Sequence, residues 1–241
     1  MKKLLCVITL LLLLFATAFS AVACSEKQEA EPTPSEIITR WQRTYTAGDF
    51  GIHNKKNPFV EFTLDTDETI RLELYPSVAP ITVENFITYV NEGFYSGCAF
   101  HRIIKGQMIQ CGGFEIKDGL YVKKPPTHDP IKGEFKKNGV NNTLSHTPGV
   151  ISMANTGEPD YSASSEFFIC SDLSEAVTES YDGKYAAFGR VIDEESMAVV
   201  SRLEKVETHS EPLYQGETGY TREDVPVTRV TVKSVVLVWN K

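Results

Sequence analysis

The sequence predicts a mainly β fold, an antiparallel barrel capped by helices, on three observations. Short apolar runs of period two, bounded by glycine and turn residues, recur along most of the chain. Only two stretches switch to the period of an amphipathic helix, and they lie far apart. Many strands with two helices at separated positions argue for an antiparallel barrel capped by helices.

Taken in order, the chain opens with Met1-Lys2-Lys3 and an uncharged run from Leu4 to Phe19, the basic and apolar regions of a secretory signal expected over residues 1–23. The run is short for a bilayer span, which needs about 20 residues. Ala21-Val22-Ala23 satisfies the small-residue rule for ordinary cleavage. Followed by Cys24 and Ser25, the same residues resemble a bacterial lipobox with Cys24 as the lipidated position. Residues 24–36 favour lipidation, because acids, Ala, Thr and two prolines make a tether too polar to fold. The expected location is therefore extracytoplasmic, as a cell-membrane lipoprotein, with plain secretion as the alternative. Residues 37–57 hold Trp41, Tyr45 and Phe50, too aromatic for a tether, and are expected to be an extension packed on a domain spanning 58–241.

From Pro58 the pattern alternates through Phe59, Val60, Phe62 and Leu64, then Thr69 to Leu74, with Asp65-Thr66-Asp67 between, which predicts a hairpin. Val83, Phe86, Ile87 and Val90 predict a helix over Pro80 to Gly93, with Thr82 able to cap its start and Gly93 placed to end it. A second helix is predicted from Glu194 to Val206, with Met197, Val200 and Leu203 as its stripe and acids in its first turn. Lys117 to Asn142 and Glu207 to Val225 are rich in proline, glycine and charge and are expected to be surface loops. Val230 to Trp239 is placed to close the sheet onto its first strand.

The 241 residues are 41% hydrophobic and 23% charged, the balance of one ordinary soluble domain once the signal is set aside. The formal charge of −8 becomes more negative when Lys2 and Lys3 leave with the signal, which argues against binding nucleic acid. Of five cysteines, Cys6 would leave with the signal and Cys24 carry lipid, so Cys98, Cys111 and Cys170 are expected as free thiols. His128, His146 and His209 are scattered through polar segments without metal-ligand spacing, and no Gly-x-Ser-x-Gly elbow is present. No metal or cofactor is expected.

The densest signal is Phe100-His101-Arg102-Ile103-Ile104-Lys105-Gly106-Gln107-Met108-Ile109-Gln110-Cys111-Gly112-Gly113, a hairpin that sets an arginine among apolar residues. With Gly149 to Asn155, Ser165 to Cys170 and Asp182 to Val191, it resembles the cyclophilin family of peptidyl-prolyl isomerases, over roughly Pro58 to Val238. The resemblance implies a closed eight-stranded antiparallel β-barrel capped by two α-helices, with the active face outside. A closed barrel offers no edge strand in need of a partner, so a monomer is expected.

Prolyl isomerisation crosses a barrier of about 20 kcal/mol because rotation destroys amide resonance. It needs no nucleophile, only a pocket for the ring and a donor that favours the twisted amide. The resemblance implies Arg102 as that catalytic donor and Gln110 as the residue positioning it, Phe168 and Met108 as the proline pocket, and Ala154 and Asn155 as the strand binding substrate backbone. His101 is expected to point away from Arg102 and to be structural. Four positions depart from the family: Gln107 where phenylalanine is usual, Glu166 for glutamine, Tyr181 for leucine and Tyr185 for histidine. All four are expected to line the substrate pocket and make it more polar, with Glu166 near enough to Arg102 to orient it or compete for it. Ser180 stands where many members carry a cyclosporin-contacting tryptophan, which predicts weak cyclosporin binding. The function implied is isomerisation of proline-containing exported polypeptides; the alternative is a proline-binding chaperone or docking module with little turnover.

Overall fold

Alternating residues build the first hairpin as predicted: β1 (Phe59–Leu64) and β2 (Thr69–Leu74) pair antiparallel with Phe62 opposite Ile70. The computed structural model describes residues 57–156 and 161–238. The expected signal, the tether with its Cys24, the extension except Asn57, and Trp239 lie outside the described residues. Asn57 is buried and donates from Nδ2 to Glu73 Oε1 at 2.9 Å, fixing the approach to β1.

Six further strands complete the main sheet: β3 (Arg102–Ile104), β4 (Met108–Cys111), β8 (Val150–Met153), β10 (Phe167–Cys170), β11 (Ala186–Val191) and β14 (Val232–Val238). All pairings are antiparallel, in the order β14-β1-β2-β11-β8-β10-β4-β3. The expected closed barrel is a half-barrel, because β3 and β14 share no ladder. The segment ahead of β3 instead meets the start of β14 and the residues before it: an Ala99–Thr231 bridge, Phe100 N donating to Val230 O (3.0 Å), Val232 N donating to Cys98 O (2.8 Å) and Gly97 N donating to Val232 O (2.8 Å).

Inward-facing Phe62, Phe167 and Phe188 of these strands form one core with Phe86 and Tyr95, which come from outside the sheet. Neighbouring rings in it pack tilted or edge-on, with centroids 5.2 to 6.3 Å apart. Helix α1 (Pro80–Asn91) contributes Val83, Phe86 and Val90, and α3 (Glu194–Glu204) contributes Met197, Val200 and Leu203. Each such side chain removed from water stabilises the fold by about 1.5–3 kcal/mol. Asp193 caps α3 by accepting from Ser196 N at 2.8 Å. The start of α1 differs from expectation. Thr82 does not cap it; the buried Glu134 carboxylate does, accepting from Ile81 N, Thr82 N and Thr82 Oγ1. A negative group suits the positive end of a helix. Gly93 ends the helix at φ +68°, where a side chain would be strained.

Both expected surface loops carry strands instead. β5 (Phe114–Lys117) and β6 (Leu120–Lys123) form a hairpin, as do β12 (Thr208–Gln215) and β13 (Thr218–Pro226). The hairpins join through parallel β6 and β12, Tyr121 opposite Leu213, into a sheet ordered β13-β12-β6-β5. Its small core is Ala99, Phe114, Tyr121, Leu213 and Val225. β7 (Ile131–Lys132) and β9 (Tyr161–Ala163) make a two-stranded sheet. A short third helix, α2 (Glu175–Tyr181), was not foreseen; Ser174 caps it by accepting from Val177 N.

Candidate active site

Strand alternation divides the residues of the Phe100 to Gly113 hairpin between two faces. Ile103, Ile109 and Cys111 enter the core, which sends Arg102, Met108 and Gln110 to the outer face. β10 does the same, with Phe167 and Ile169 inward and Phe168 outward. Register aligns these outer residues: Arg102 opposes Gln110, Gln110 opposes Phe168, Phe168 opposes Ser152 and Ser152 opposes Ala187. One row therefore crosses five strands. Two strand spacings of about 4.8 Å each part the backbones of Arg102 and Phe168, a gap the long arginine side chain can reach into.

Phe168 and Met108 are both buried and share a cluster with Tyr75, Leu144, Val150 and Leu173, with Tyr181, Tyr185 and Ala154 packed against it. Tyr181 and Tyr185 stand edge-on to Phe168, centroids 5.5 and 5.3 Å away, and 5.4 Å from each other. Beneath this aromatic wall lies His146, stacked on Phe168 at 6.0 Å. Its Nδ1 meets Asp182 Oδ1 at 2.7 Å and its Nε2 meets Ser152 Oγ at 2.9 Å. Serine, histidine and aspartate here have the order of a hydrolase relay, but Ser152 has no exposed surface. The trio supports Phe168 rather than attacking anything. Sequence reading left His146 in a polar loop; Ser152 is only six residues on, but Asp182 is 36 residues away with no local pattern linking them, which hid this role.

Two of the family departures answer each other. The Tyr181 hydroxyl donates to Gln107 Oε1 at 3.0 Å. Burial pushes the Tyr181 phenol up to about 12, so it keeps the proton it donates. Tyr181 and Gln107 thus form one hydrogen-bonded wall. Ala154 and Asn155 continue the line of β8, Ala154 N donating to Glu166 O at 2.9 Å and Asn155 Nδ2 to Lys184 O at 3.0 Å.

Glu166 does not touch Arg102. Its carboxylate pairs with Lys123 of β6, accepts from Gln110 Nε2 at 2.9 Å and lies 3.5 Å from His101 Nε2. Burial alone would raise this carboxyl, but His101 and Lys123 outweigh it and hold it well below the usual carboxylate range. A Cβ on Gly113 would come within 2.3 Å of Glu166, so the glycine is what lets the acid lie against the backbone. His101 is buried against Phe114, with ring centroids 4.6 Å apart.

Arg102 finds a different carboxylate. Its Nε donates to Asp224 Oδ2 at 2.7 Å and its Nη1 to Gln110 Oε1 at 3.4 Å. Asp224 and Lys123 both come from the second sheet, and neither was anticipated. Cys98, Cys111 and Cys170 are free and buried; burial raises the Cys98 thiol to about 11, so it is a poor nucleophile. Among the described residues, no cluster of three or more His, Cys, Asp or Glu could hold a metal.

Residues 59–235 match the model of the cyclophilin type peptidyl-prolyl cis-trans isomerase family. A peptidyl-prolyl cis-trans isomerase of Acinetobacter baylyi is 37% identical over 184 residues, covering 76% of this chain and 89% of that one. Peptidyl-prolyl cis-trans isomerase B of Escherichia coli is 39% identical over 167 residues, covering 68% and 93%. The fold matches a crystal structure of a Cryptosporidium parvum cyclophilin with a TM-score of 0.55 at 21% identity, over 77% of this chain and 99% of that one. The same parasite protein was also crystallised in the presence of the dipeptide Ala-Pro. Matched over most of its length by the family's sequence model, and similar in fold to a cyclophilin crystal structure, this chain belongs to the cyclophilin-type peptidyl-prolyl cis–trans isomerases.

Proposed function

We propose that this peptidyl-prolyl cis–trans isomerase works outside the cytoplasm on exported polypeptides, held to the membrane by lipid on Cys24. Arg102 is the electrostatic catalyst, Gln110 positions it, and Phe168 with Met108 floors the proline pocket. Tyr181, Gln107 and Tyr185 wall that pocket, Ala154 and Asn155 bind the substrate backbone, and Glu166 acts through Gln110. The observation that carries this reading is the row Arg102–Gln110–Phe168 on one outward face. A prolyl ring resting on Phe168 brings its amide nitrogen toward the guanidinium, whose N–H groups bond that nitrogen as it pyramidalises and loses resonance. The donor then favours the twisted amide over either planar form, which is what lowers the barrier. Crystallisation of the Cryptosporidium cyclophilin in the presence of Ala-Pro supports a short Xaa-Pro unit as the recognised element.

Turnover is preferred to a binding module because the two departures that would have lowered turnover are engaged elsewhere, Gln107 by Tyr181 and Glu166 by Lys123 and Gln110. Exchange NMR on a short Xaa-Pro peptide tests this. Arg102→Ala should slow isomerisation about a hundredfold, the effect of losing one transition-state hydrogen bond of about 3 kcal/mol; an equal rate would leave only binding. Export and anchoring rest on the basic start, the apolar run and the Ala21-Val22-Ala23-Cys24 junction. Cys24→Ala should release the protein from the membrane fraction, and continued partitioning would refute the anchor. The protein acts as a monomer and binds cyclosporin weakly, since the exposed Ser180 offers no indole.

A further inference from the structure

We infer that Asp224, on the β12–β13 hairpin, is a positioning residue for isomerisation, holding the Arg102 guanidinium by its Nε edge so that its terminal N–H groups face the substrate. The inference rests on the reading of Arg102 as the catalytic donor. A free arginine samples many rotamers, and ordering one has an entropic cost. Gln110 alone restrains it weakly, at 3.4 Å. The charge-assisted bond to Asp224, at 2.7 Å, is the stronger restraint, and it takes the edge of the fork that substrate does not need.

The local backbone is shaped for this contact. Opposite β12, Arg222 pairs with Glu211 and Val225 with His209, so two residues of β13, Glu223 and Asp224, face the single Ser210. Such a bulge re-aims a side chain that regular alternation would send elsewhere. Asp224 is itself steadied by Arg222, whose Nε lies 3.3 Å from Oδ1. One carboxylate thus lies between two guanidiniums. The second arginine matters electrostatically, because a lone carboxylate would cancel the positive field that a twisted amide feels, whereas the trio keeps a net positive charge.

The test is the saturated exchange rate and KM for a Xaa-Pro peptide, measured on the full-length chain. Asp224→Ala should lower the saturated rate about tenfold, the scale of a misaimed catalytic group, with KM within about twofold. Asp224→Glu should recover most of the loss. If the Asp224→Ala chain does not fold, as judged by its thermal melt, Asp224→Asn keeps the shape without the charge and is read in the same direction. In an Arg102→Ala background, removing Asp224 should cost nothing more, since there is no guanidinium left to aim. An unchanged or faster saturated rate, or the same fractional loss without Arg102, overturns the inference. If Arg102→Ala is slow while Asp224→Ala is fast, only this inference fails. If Arg102→Ala is as fast as the parent, the reading of Arg102 fails and takes the inference with it.

Discussion

Tyr181 and Gln107 illustrate how one side chain's identity constrains another's. Replacing Gln107 by phenylalanine alone restores the family's usual residue but strands the half-buried Tyr181 hydroxyl, which donates to Gln107. Leaving such a group unpaired costs about 1 kcal/mol or more. Gln107→Phe should therefore lower the melting temperature, and the double variant Gln107→Phe/Tyr181→Leu should recover most of it; equal loss in both would show that the two residues act independently. Glu166 makes a second prediction at this scale. Its native pKa is depressed, so its contribution is complete above the ordinary carboxylate value of 4.5 and is lost as pH falls below it toward the native value. Glu166→Gln should lower stability most in the neutral region and least near pH 2, flattening the acid limb, as read from thermal melts across pH 2 to 7. The outward direction of Arg102, Gln110 and Phe168 was legible because a strand's period is two and their neighbours are plainly core. The identity of Arg102's carboxylate was not, since Asp224 lies 122 residues away with no local pattern linking them.

At the scale of elements, α1 shows a helix whose stripe is local but whose start is not. Val83, Phe86 and Val90 announce the helix, whereas the group satisfying its first N–H donors, Glu134, sits in a distant loop. Glu134→Ala strands those donors in a buried place and should cost about 2 kcal/mol, a fall in melting temperature of about 4–8 °C for a domain of this size. A melt within 1 °C of the parent would mean that water replaces the carboxylate. The second sheet is the larger lesson. β12 and β13 are polar on both faces, so neither shows the half-buried alternation that marks a strand, and their composition looks like loop. One signal was there to find: the two-residue connection Gly216-Glu217, with Gly216 at φ +64°, is a hairpin turn. What makes these segments strands is their antiparallel pairing with each other, joined to the sheet where β12 meets β6, and sequence spacing does not reveal that second contact.

Over the whole molecule, the mainly β class, the two capping helices and the strand that returns to β1 all follow from patterns in the chain, because each is written in a residue's own neighbourhood. Closure is different. Whether the last strand meets β3 by a full ladder or by a few bonds depends on curvature accumulated across eight strands, and the few bonds prevail. The pairing of β1 with β14 has a further consequence for how the protein comes into being. During synthesis β1 emerges among the first strands and β14 only after every other strand of the sheet. Until then one edge of β1 offers unpaired amides, open to any neighbouring chain. The Arg102 row lies at the opposite edge of the same sheet, and Asp224, which steadies it, precedes β14 by only a few residues. A nascent chain therefore carries the arginine long before it can aim it, and isomerase competence arrives as one of the last events of its own assembly.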